Sequence, residues 1–158
     1  MHWIALSPPE PDLALWSWRA LQFTPRVVQV EEALLLEISV SQRLWRGPAR
    51  LLRLLLRAHD RGHAVAPHAQ GGSALLALAR LRLLYMGEGV AAQPAVPDGL
   101  PLWTLSAARQ HLDTLERVGC RSWGQLRALP RDGVARRFGA PLLQALDQAY
   151  GEDRKSVV

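Results

Sequence analysis

The sequence contains little cysteine and no long apolar run, and each shortage excludes a class of protein. Cys120 is the only cysteine, which excludes a disulfide scaffold and a cysteine-based zinc finger. No apolar run approaches the roughly 20 residues of a transmembrane helix, so we expect no membrane span. The N-terminal MHWIALSPPEPD lacks a basic region and a cleavage site with small residues. We therefore expect no signal peptide and a cytoplasmic protein.

What remains is the composition of a folded, basic protein. The 158 residues are 49% hydrophobic and 21% charged, values typical of a globular chain rather than a disordered one. This length predicts about one domain with room for a small second module. The net charge of +5 makes a polyanionic partner worth testing.

Arginine accounts for almost all of the positive charge, since Lys155 is the only lysine. Arginine presents a planar fork of donors that suits phosphate or carboxylate groups. The cluster between Ser41 and Tyr85 is opposed by Asp60 alone and therefore favours an acidic partner, although each member could simply solvate a helix. Its members are Arg43, Arg46, Arg50, Arg53, Arg57, Arg61, Arg80 and Arg82.

The N-terminal half reads as a mixture of strands and helices. Alternating or buried apolar runs predict strands at residues 2–7, 26–30, 33–39 and 63–67, the middle two forming a hairpin or a closely spaced strand pair. Helical spacing predicts a helix capped by Asp12, an amphipathic helix with a basic stripe at residues 50–57, and a helix at residues 73–84 capped by Ser73. These elements predict an α+β fold.

The C-terminal half begins with a linker and continues with short helices. Glycine and proline are frequent at residues 87–101, which is typical of a linker. Ser106 and Ser122 are expected to cap helices, Gly119 to end the first of them, and Pro130 and Pro141 to begin two more. The last residues lack any pattern and are expected to be disordered.

The segment LDTLERVGCRSWGQLRAL (residues 112–129) has the form of a helix-hairpin-helix. In that motif a glycine turn exposes backbone N–H groups at a helix N-terminus, and these groups bind a DNA phosphate without reading sequence. Here Gly119, Cys120, Arg121 and Ser122 would face the phosphate. The alternative is an ordinary corner between two helices that uses glycine only as a C-cap.

Candidate catalytic and metal sites are incomplete. Glu31 and Glu32 precede a strand and could form half of a two-metal site, but the first strand, WIALS, offers no carboxylate. Two-metal chemistry needs converging oxygen ligands, so we interpret the pair as a charged turn. His59, His63 and His68 form no convincing metal cluster. Cys120 has no evident base and is not expected to be a nucleophile.

Several phrases together resemble ImuB-like proteins, the catalytically inactive relatives of Y-family translesion DNA polymerases. WRALQFTPRVVQVEEALLLEISVSQRLWRG is similar to the palm segment, and LERVGCRSWGQLRALPRDGVARRFG to the thumb. The resemblance implies a palm-like region at residues 1–86, a linker at 87–102, a thumb-like helix-hairpin-helix module at 103–150 and a tail at 151–158. It implies DNA phosphate contacts at Gly119, Arg121 and Ser122, and secondarily at Arg136 and Arg137.

Three departures from the family refine this expectation. Active members carry an aspartate at about the position of Ala5, the stretch before Val27 is too short for a fingers subdomain, and the chain stops after the thumb. The resemblance therefore implies a non-catalytic adaptor without cofactor or metal. Its partners would be DNA, a RecA-like ImuA protein and an error-prone C-family polymerase. Two alternatives stay open: an active polymerase fragment that uses Glu31 and Glu32, and a protein-interaction module in which residues 50–57 dock an acidic partner.

Overall fold

The structure of the protein is a computed structural model that describes residues 1–8, 13–57, 66–86 and 96–152. The chain divides into two compact units, Met1–Leu81 and Arg82–Val158. The predicted α+β fold class is confirmed. The predicted division into a palm-like region, a linker and a thumb-like module stays a prediction, and Asp12, residues 87–95 and residues 153–158 lie outside the described part.

The first unit contains an antiparallel sheet of four strands in the order β2-β3-β1-β4. Its second and third strands, β2 and β3, pair with Val30 opposite Ala33, which confirms the predicted hairpin. β1 pairs with β3 on one side and with β4 on the other, so Ala5 lies between Leu35 and Ala69. The strands are β1 (Trp3–Leu6), β2 (Val27–Val30), β3 (Ala33–Glu37) and β4 (His68–Gly71).

Two helices of the first unit share a hydrophobic core with one face of this sheet. Ile4 and Leu6 of β1 and Leu34 and Leu36 of β3 point to that face, because side chains alternate along a strand. They form one buried cluster with Trp16 and Ala20 of α1 (Leu13–Leu21) and with Leu51 and Leu55 of α2 (Pro48–Arg57). The amphipathic helix expected at residues 50–57 is thus confirmed, with its leucines inside.

The strand predicted at residues 63–67 lies outside the described part for its first three residues, and the structure forms no strand at its last two. Residues 58–65 lie outside the described part, Ala66 and Pro67 belong to no strand, and β4 is His68–Gly71 instead. Ala69 and Gly71 are buried beside β1, while His68 and Gln70 are half-buried. A Cβ atom at Gly71 would lie 2.7 Å from the backbone nitrogen of Ala77. Close packing against the helix that follows therefore selects small residues here, and hydrophobicity alone does not predict this strand.

That helix, α3 (Ala74–Tyr85), begins as predicted. The hydroxyl of Ser73 accepts a hydrogen bond from the Leu76 N–H at 3.1 Å, which is the N-cap geometry.

The C-terminal end of α2 is held by Arg19. Its Nε donates to the Leu55 carbonyl oxygen at 2.8 Å, and a terminal nitrogen donates to that of Leu54 at 2.5 Å. The last four carbonyls of a helix have no hydrogen-bond partner inside the helix. The Arg19 guanidinium supplies donors for two of them. Burial lowers the pKa of Arg19.

We expect Arg19→Met to destabilise the first unit by about 1–3 kcal/mol, because two carbonyls lose a charged donor. Urea unfolding followed by circular dichroism measures the change. Arg53→Met, at an exposed position of α2, is the matched control and should change stability by less than about 0.5 kcal/mol. Equal effects of the two substitutions would contradict the capping role.

In the described residues of the second unit after residue 95, four short helices follow a series of 3₁₀ turns. They are α4 (Leu112–Arg117), α5 (Trp123–Ala128), α6 (Arg131–Phe138) and α7 (Ala140–Ala149). The predicted starts at Pro130 and Pro141 agree with α6 and α7 to within one residue. The predicted cap at Ser106 is wrong: residues Ser106–His111 form a 3₁₀ helix without a side-chain cap. The Ser106 hydroxyl accepts a hydrogen bond from buried Arg82 at 2.8 Å instead.

Candidate nucleic-acid interface

The turn between α4 and α5 has the conformation that is predicted from Gly119. Gly119 has a φ of 81°, in the left-handed region that glycine adopts without strain. The Gly119 N–H donates to the Glu116 carbonyl oxygen at 3.0 Å, and the Cys120 N–H donates to that of Leu115 at 2.9 Å. These two bonds define a Schellman motif at the end of α4. The geometry confirms that Gly119 ends the helix.

Ser122 caps α5, also as predicted. Its hydroxyl accepts from the Gln125 N–H at 3.2 Å. The Gln125 side chain reaches back and accepts from the Arg121 N–H at 2.7 Å. Gln125 was not among the predicted site residues, although a serine followed three residues later by glutamine is the spacing of a capping box.

The backbone N–H groups of the turn are therefore largely engaged within the chain. Those of Gly119, Cys120 and Arg121 bond to the acceptors named above, and that of Trp123 donates to the Leu100 carbonyl oxygen at 2.9 Å. A helix-hairpin-helix contacts phosphate through such groups when they are free. In this turn any attraction for phosphate must come mainly from side chains.

Buried residues fix the position of the turn. Leu115, Cys120, Trp123 and Leu126 are each at most 2% exposed. Burial raises the pKa of the Cys120 thiol, which disfavours the thiolate that a nucleophile requires.

Arg136 and Arg137 lie on a different hairpin from Arg121. They occupy the last turn of α6, and Gly139 with a φ of 92° leads directly into α7. Phe138 contacts His111 with ring centroids 5.1 Å apart, which places the end of α6 beside the start of α4. Since Arg121 follows the other end of α4, the two groups of arginines flank that helix, which is about 9 Å long at 1.5 Å per residue.

The arginines of the second unit divide into paired and unpaired groups. Arg131 donates to both carboxylate oxygens of Asp147, at 3.0 and 2.8 Å. This hydrogen bonding is the main cause that lowers the pKa of Asp147. Arg127 pairs with Glu152 and lies 4.1 Å from the centroid of the Tyr150 ring. Burial, followed by the hydrogen bond to Asp98, raises the pKa of Tyr150.

Four exposed arginines of this unit have no such partner. Within the described residues, no ion pair forms at Arg117, Arg121, Arg136 or Arg137. Arg117 was not among the predicted site residues. Its position in the last turn of α4, two residues before Gly119, could have indicated it.

The arginine cluster of residues 43–82 is smaller than the sequence indicates. Arg82 is only 3% exposed and donates to the Thr104 carbonyl oxygen at 2.9 Å. Arg80 donates to that of Gln70 at 2.9 Å. Arg61 lies outside the described part. The exposed members are Arg43, Arg46, Arg50, Arg53 and Arg57.

The carboxylates of the sheet do not converge. Glu31 and Glu32 are exposed and lie in the turn between β2 and β3, which agrees with a charged turn. Glu37 is 3% exposed at the opposite end of β3, about 17 Å from Glu32 at 3.4 Å per residue. Burial by itself would raise the pKa of Glu37, yet hydrogen bonds from Ser39 and the backbone, with the charge of Arg26, hold that pKa below its usual value.

Within residues 1–8, 13–57, 66–86 and 96–152, no three histidine, cysteine, aspartate or glutamate side chains are grouped so that they could hold a metal ion. His59 and His63 fall outside those ranges. His68 lies 3.2 Å, through its Nδ1, from the Ala66 carbonyl oxygen. Among the helices described, none is long and apolar enough to span a membrane.

Comparison with known proteins confirms the resemblance found in the sequence. No family model matches the chain. The chain is similar to Protein ImuB of Caulobacter vibrioides, in strain NA1000 / CB15N and in strain ATCC 19089 / CIP 103742 / CB 15. The identity is 33% over 144 residues, which cover 87% of this chain and 31% of each ImuB. The chain therefore spans about a third of the length of the relatives that it matches.

Proposed function

We propose that this chain is a non-catalytic, polymerase-like adaptor that binds DNA during DNA damage-induced mutagenesis and translesion synthesis. The observation that carries the proposal is the similarity to ImuB over 144 residues, which cover 87% of this chain. The proposal keeps the two modules as functional parts: a palm-like region that no longer binds catalytic metals, and a thumb-like module that holds DNA.

The residues of β1 support the absence of catalysis in this proposal. A two-metal mechanism needs carboxylates from a first strand and from a neighbouring turn. The sequence of β1 is Trp3-Ile4-Ala5-Leu6, which contains no acidic residue. Glu31 and Glu32 therefore have no carboxylate on β1 with which to share a metal ion. The pair is a remnant without metal chemistry in this proposal.

DNA contact is assigned to the predicted residues with different roles. Gly119 and Ser122 shape the turn, since one ends α4 and the other caps α5. Arg121, Arg136 and Arg137 supply the charge, because their guanidinium groups are exposed and form no ion pair within the described part of the chain. Such contacts read no sequence, because phosphates are the same at every base pair.

The partners follow from the resemblance alone. A RecA-like ImuA protein and an error-prone C-family polymerase are the proposed protein partners, and DNA is the shared substrate on which the adaptor brings them together.

Loss of Arg121, Arg136 and Arg137 together should weaken binding to a labelled 20-base-pair duplex. Each lost phosphate contact lowers the slope of log affinity against log salt by about 0.9, and at 0.1 M salt lowers affinity by up to roughly eightfold. We expect Arg121→Ala/Arg136→Ala/Arg137→Ala to reduce the slope by about 2–3. Fluorescence anisotropy over a salt series measures both quantities.

The matched control for this experiment is Arg131→Ala. Arg131 is exposed and lies on α6 like Arg136, but it is bound to Asp147. Its removal should change DNA affinity less than Arg136→Ala does. Equal effects would indicate that net charge alone attracts DNA. Unchanged binding in the triple variant would reject Arg121, Arg136 and Arg137 as the contact surface, which we call the hairpin surface.

A further inference from the structure

The first unit has a group of exposed arginines of its own, separate from Arg121, Arg136 and Arg137 of the second unit. We call Arg43, Arg46, Arg50, Arg53 and Arg57 the α2 arginine row. All five are exposed, and none forms an ion pair within the residues that the structure describes. The chain has no aspartate or glutamate from residue 38 to residue 57. Residues 38–57, which include the row, thus carry charge of one sign.

The helix does not gain stability from this arrangement. Arg50 lies in the first turn of α2, which holds no acidic residue, and a cation there is opposed by the positive end of the helix dipole. Arg50 and Arg53, and Arg53 and Arg57, stand three and four residues apart, where like charges repel. Only Arg57, in the last turn, is favourably placed. A partner of opposite charge would relieve both penalties.

The packing of α2 fixes which way the row faces. Leu51 and Leu55 are fully buried in the core, and Arg19 holds the C-terminal end of the helix. Arg50, Arg53 and Arg57 therefore line the solvent side over about 10 Å at 1.5 Å per residue. A nucleic-acid strand carries one phosphate per 3.4 Å of axis, so a strand passing along the helix presents about three phosphates to these three guanidinium groups.

We propose that the α2 arginine row is a second nucleic-acid contact surface, which binds the phosphate backbone without reading sequence. Every member is arginine, whose planar fork matches the oxygens of a phosphate. The row lies in the first compact unit and the hairpin surface in the second, so the two surfaces can be removed separately. The inference rests on the proposed function as a DNA-binding adaptor and extends it to the palm-like region.

The test is the triple variant Arg50→Gln/Arg53→Gln/Arg57→Gln with the same 20-base-pair duplex. We expect the dissociation constant at 0.1 M salt to rise at least about tenfold and the salt slope to fall by about 2–3. The control with equal charge loss is Arg26→Gln/Arg127→Gln/Arg131→Gln, because those arginines are already paired with Glu37, Glu152 and Asp147. This control variant should bind DNA more tightly than Arg50→Gln/Arg53→Gln/Arg57→Gln, the row variant, does.

Folding is checked on the same proteins. The melting temperature of Arg50→Gln should be unchanged or higher than that of the wild type, since a first-turn cation is removed. Lysine at positions 50, 53 and 57 should keep the salt slope of the wild type, because lysine also displaces counterions. A loss of affinity without a loss of stability supports the proposal.

The other outcomes separate the two proposals. If the row variant binds DNA like the wild type while Arg121→Ala/Arg136→Ala/Arg137→Ala does not, the row is overturned as a nucleic-acid surface and the hairpin surface stands. If the row variant loses affinity and the hairpin variant does not, the row is supported and the assignment of the hairpin surface fails. If the wild type binds neither duplex nor single-stranded DNA at 50 mM salt, both proposals are overturned.

Discussion

Replacement of Ala5 by aspartate should strongly destabilise the first compact unit and should not create a polymerase. Ala5 is 0% exposed, with Leu35 and Ala69 as its cross-strand neighbours. An unpaired carboxylate in such a place costs several kcal/mol, and we expect a loss of about 3–5 kcal/mol. Most domains have only 5–15 kcal/mol in total, so part of the protein should be unfolded. Urea unfolding and primer extension with Mg²⁺ or Mn²⁺ measure the two effects.

The destabilisation should depend on pH. Burial raises the pKa of a carboxyl group above its value of about 3.9 in the unfolded chain. The unfolded state therefore loses its proton first, and the penalty grows as pH rises above about 4. Ala5→Asn has a similar size without a titrating group and should show no such pH dependence. A variant that Mg²⁺ stabilises and that incorporates nucleotides would contradict this expectation, whereas incorporation by the wild type would contradict the proposal of a non-catalytic adaptor.

Local patterns predicted most of the first unit because its elements follow simple periodicities. The β2–β3 hairpin consists of two apolar runs separated by Glu31 and Glu32, and α2 repeats leucine and arginine at helical spacing. β4 was missed because His68-Ala69-Gln70-Gly71 looks like a polar loop. Its identity depends on pairing with β1 and on the close approach of Ala77, which are contacts between segments that no local pattern contains.

Local sequence patterns also predicted only part of the candidate site. Gly119 and Ser122 were placed correctly because a left-handed C-cap and an N-cap are local features. The engagement of the turn's N–H groups was not foreseen, since the acceptor for Trp123 is the Leu100 carbonyl oxygen, far earlier in the chain. Likewise, Arg82 counts as a surface charge in the sequence but is buried against Thr104 and Ser106. Charge patterns locate arginines, whereas only packing decides which of them can reach a partner.

This distinction changes how DNA binding is expected to work. If the turn offered free N–H groups, affinity would depend on backbone geometry and would survive the removal of arginines. Because those of Gly119, Cys120, Arg121 and Trp123 already have acceptors, the exposed guanidinium groups must provide the attraction. In the proposed function, binding should then be weak, independent of sequence and steeply dependent on salt.

Trp123→Ala should be the most damaging substitution in the second unit, because Trp123 anchors α5. The indole is 0% exposed, and its Nε1 donates to the Thr104 hydroxyl at 3.1 Å. Its ring centroid lies 6.0 Å from that of Tyr150. Truncation of a buried tryptophan leaves a large cavity and costs about 3–5 kcal/mol. We expect Trp123→Ala to unfold at a lower urea concentration than the wild type does. Near-ultraviolet circular dichroism measures this transition.

Two variants separate the contributions of the indole. Trp123→Phe keeps most of the packing but removes the donor to Thr104, and it should cost about 1–2 kcal/mol. Trp18→Ala removes a tryptophan that is 73% exposed and should change stability by less than about 0.5 kcal/mol. Since α5 holds Ser122 in place, Trp123→Ala should also weaken DNA binding while every arginine remains. If that variant unfolds like the wild type, the position of the turn is fixed by the Schellman motif and the cap rather than by the indole.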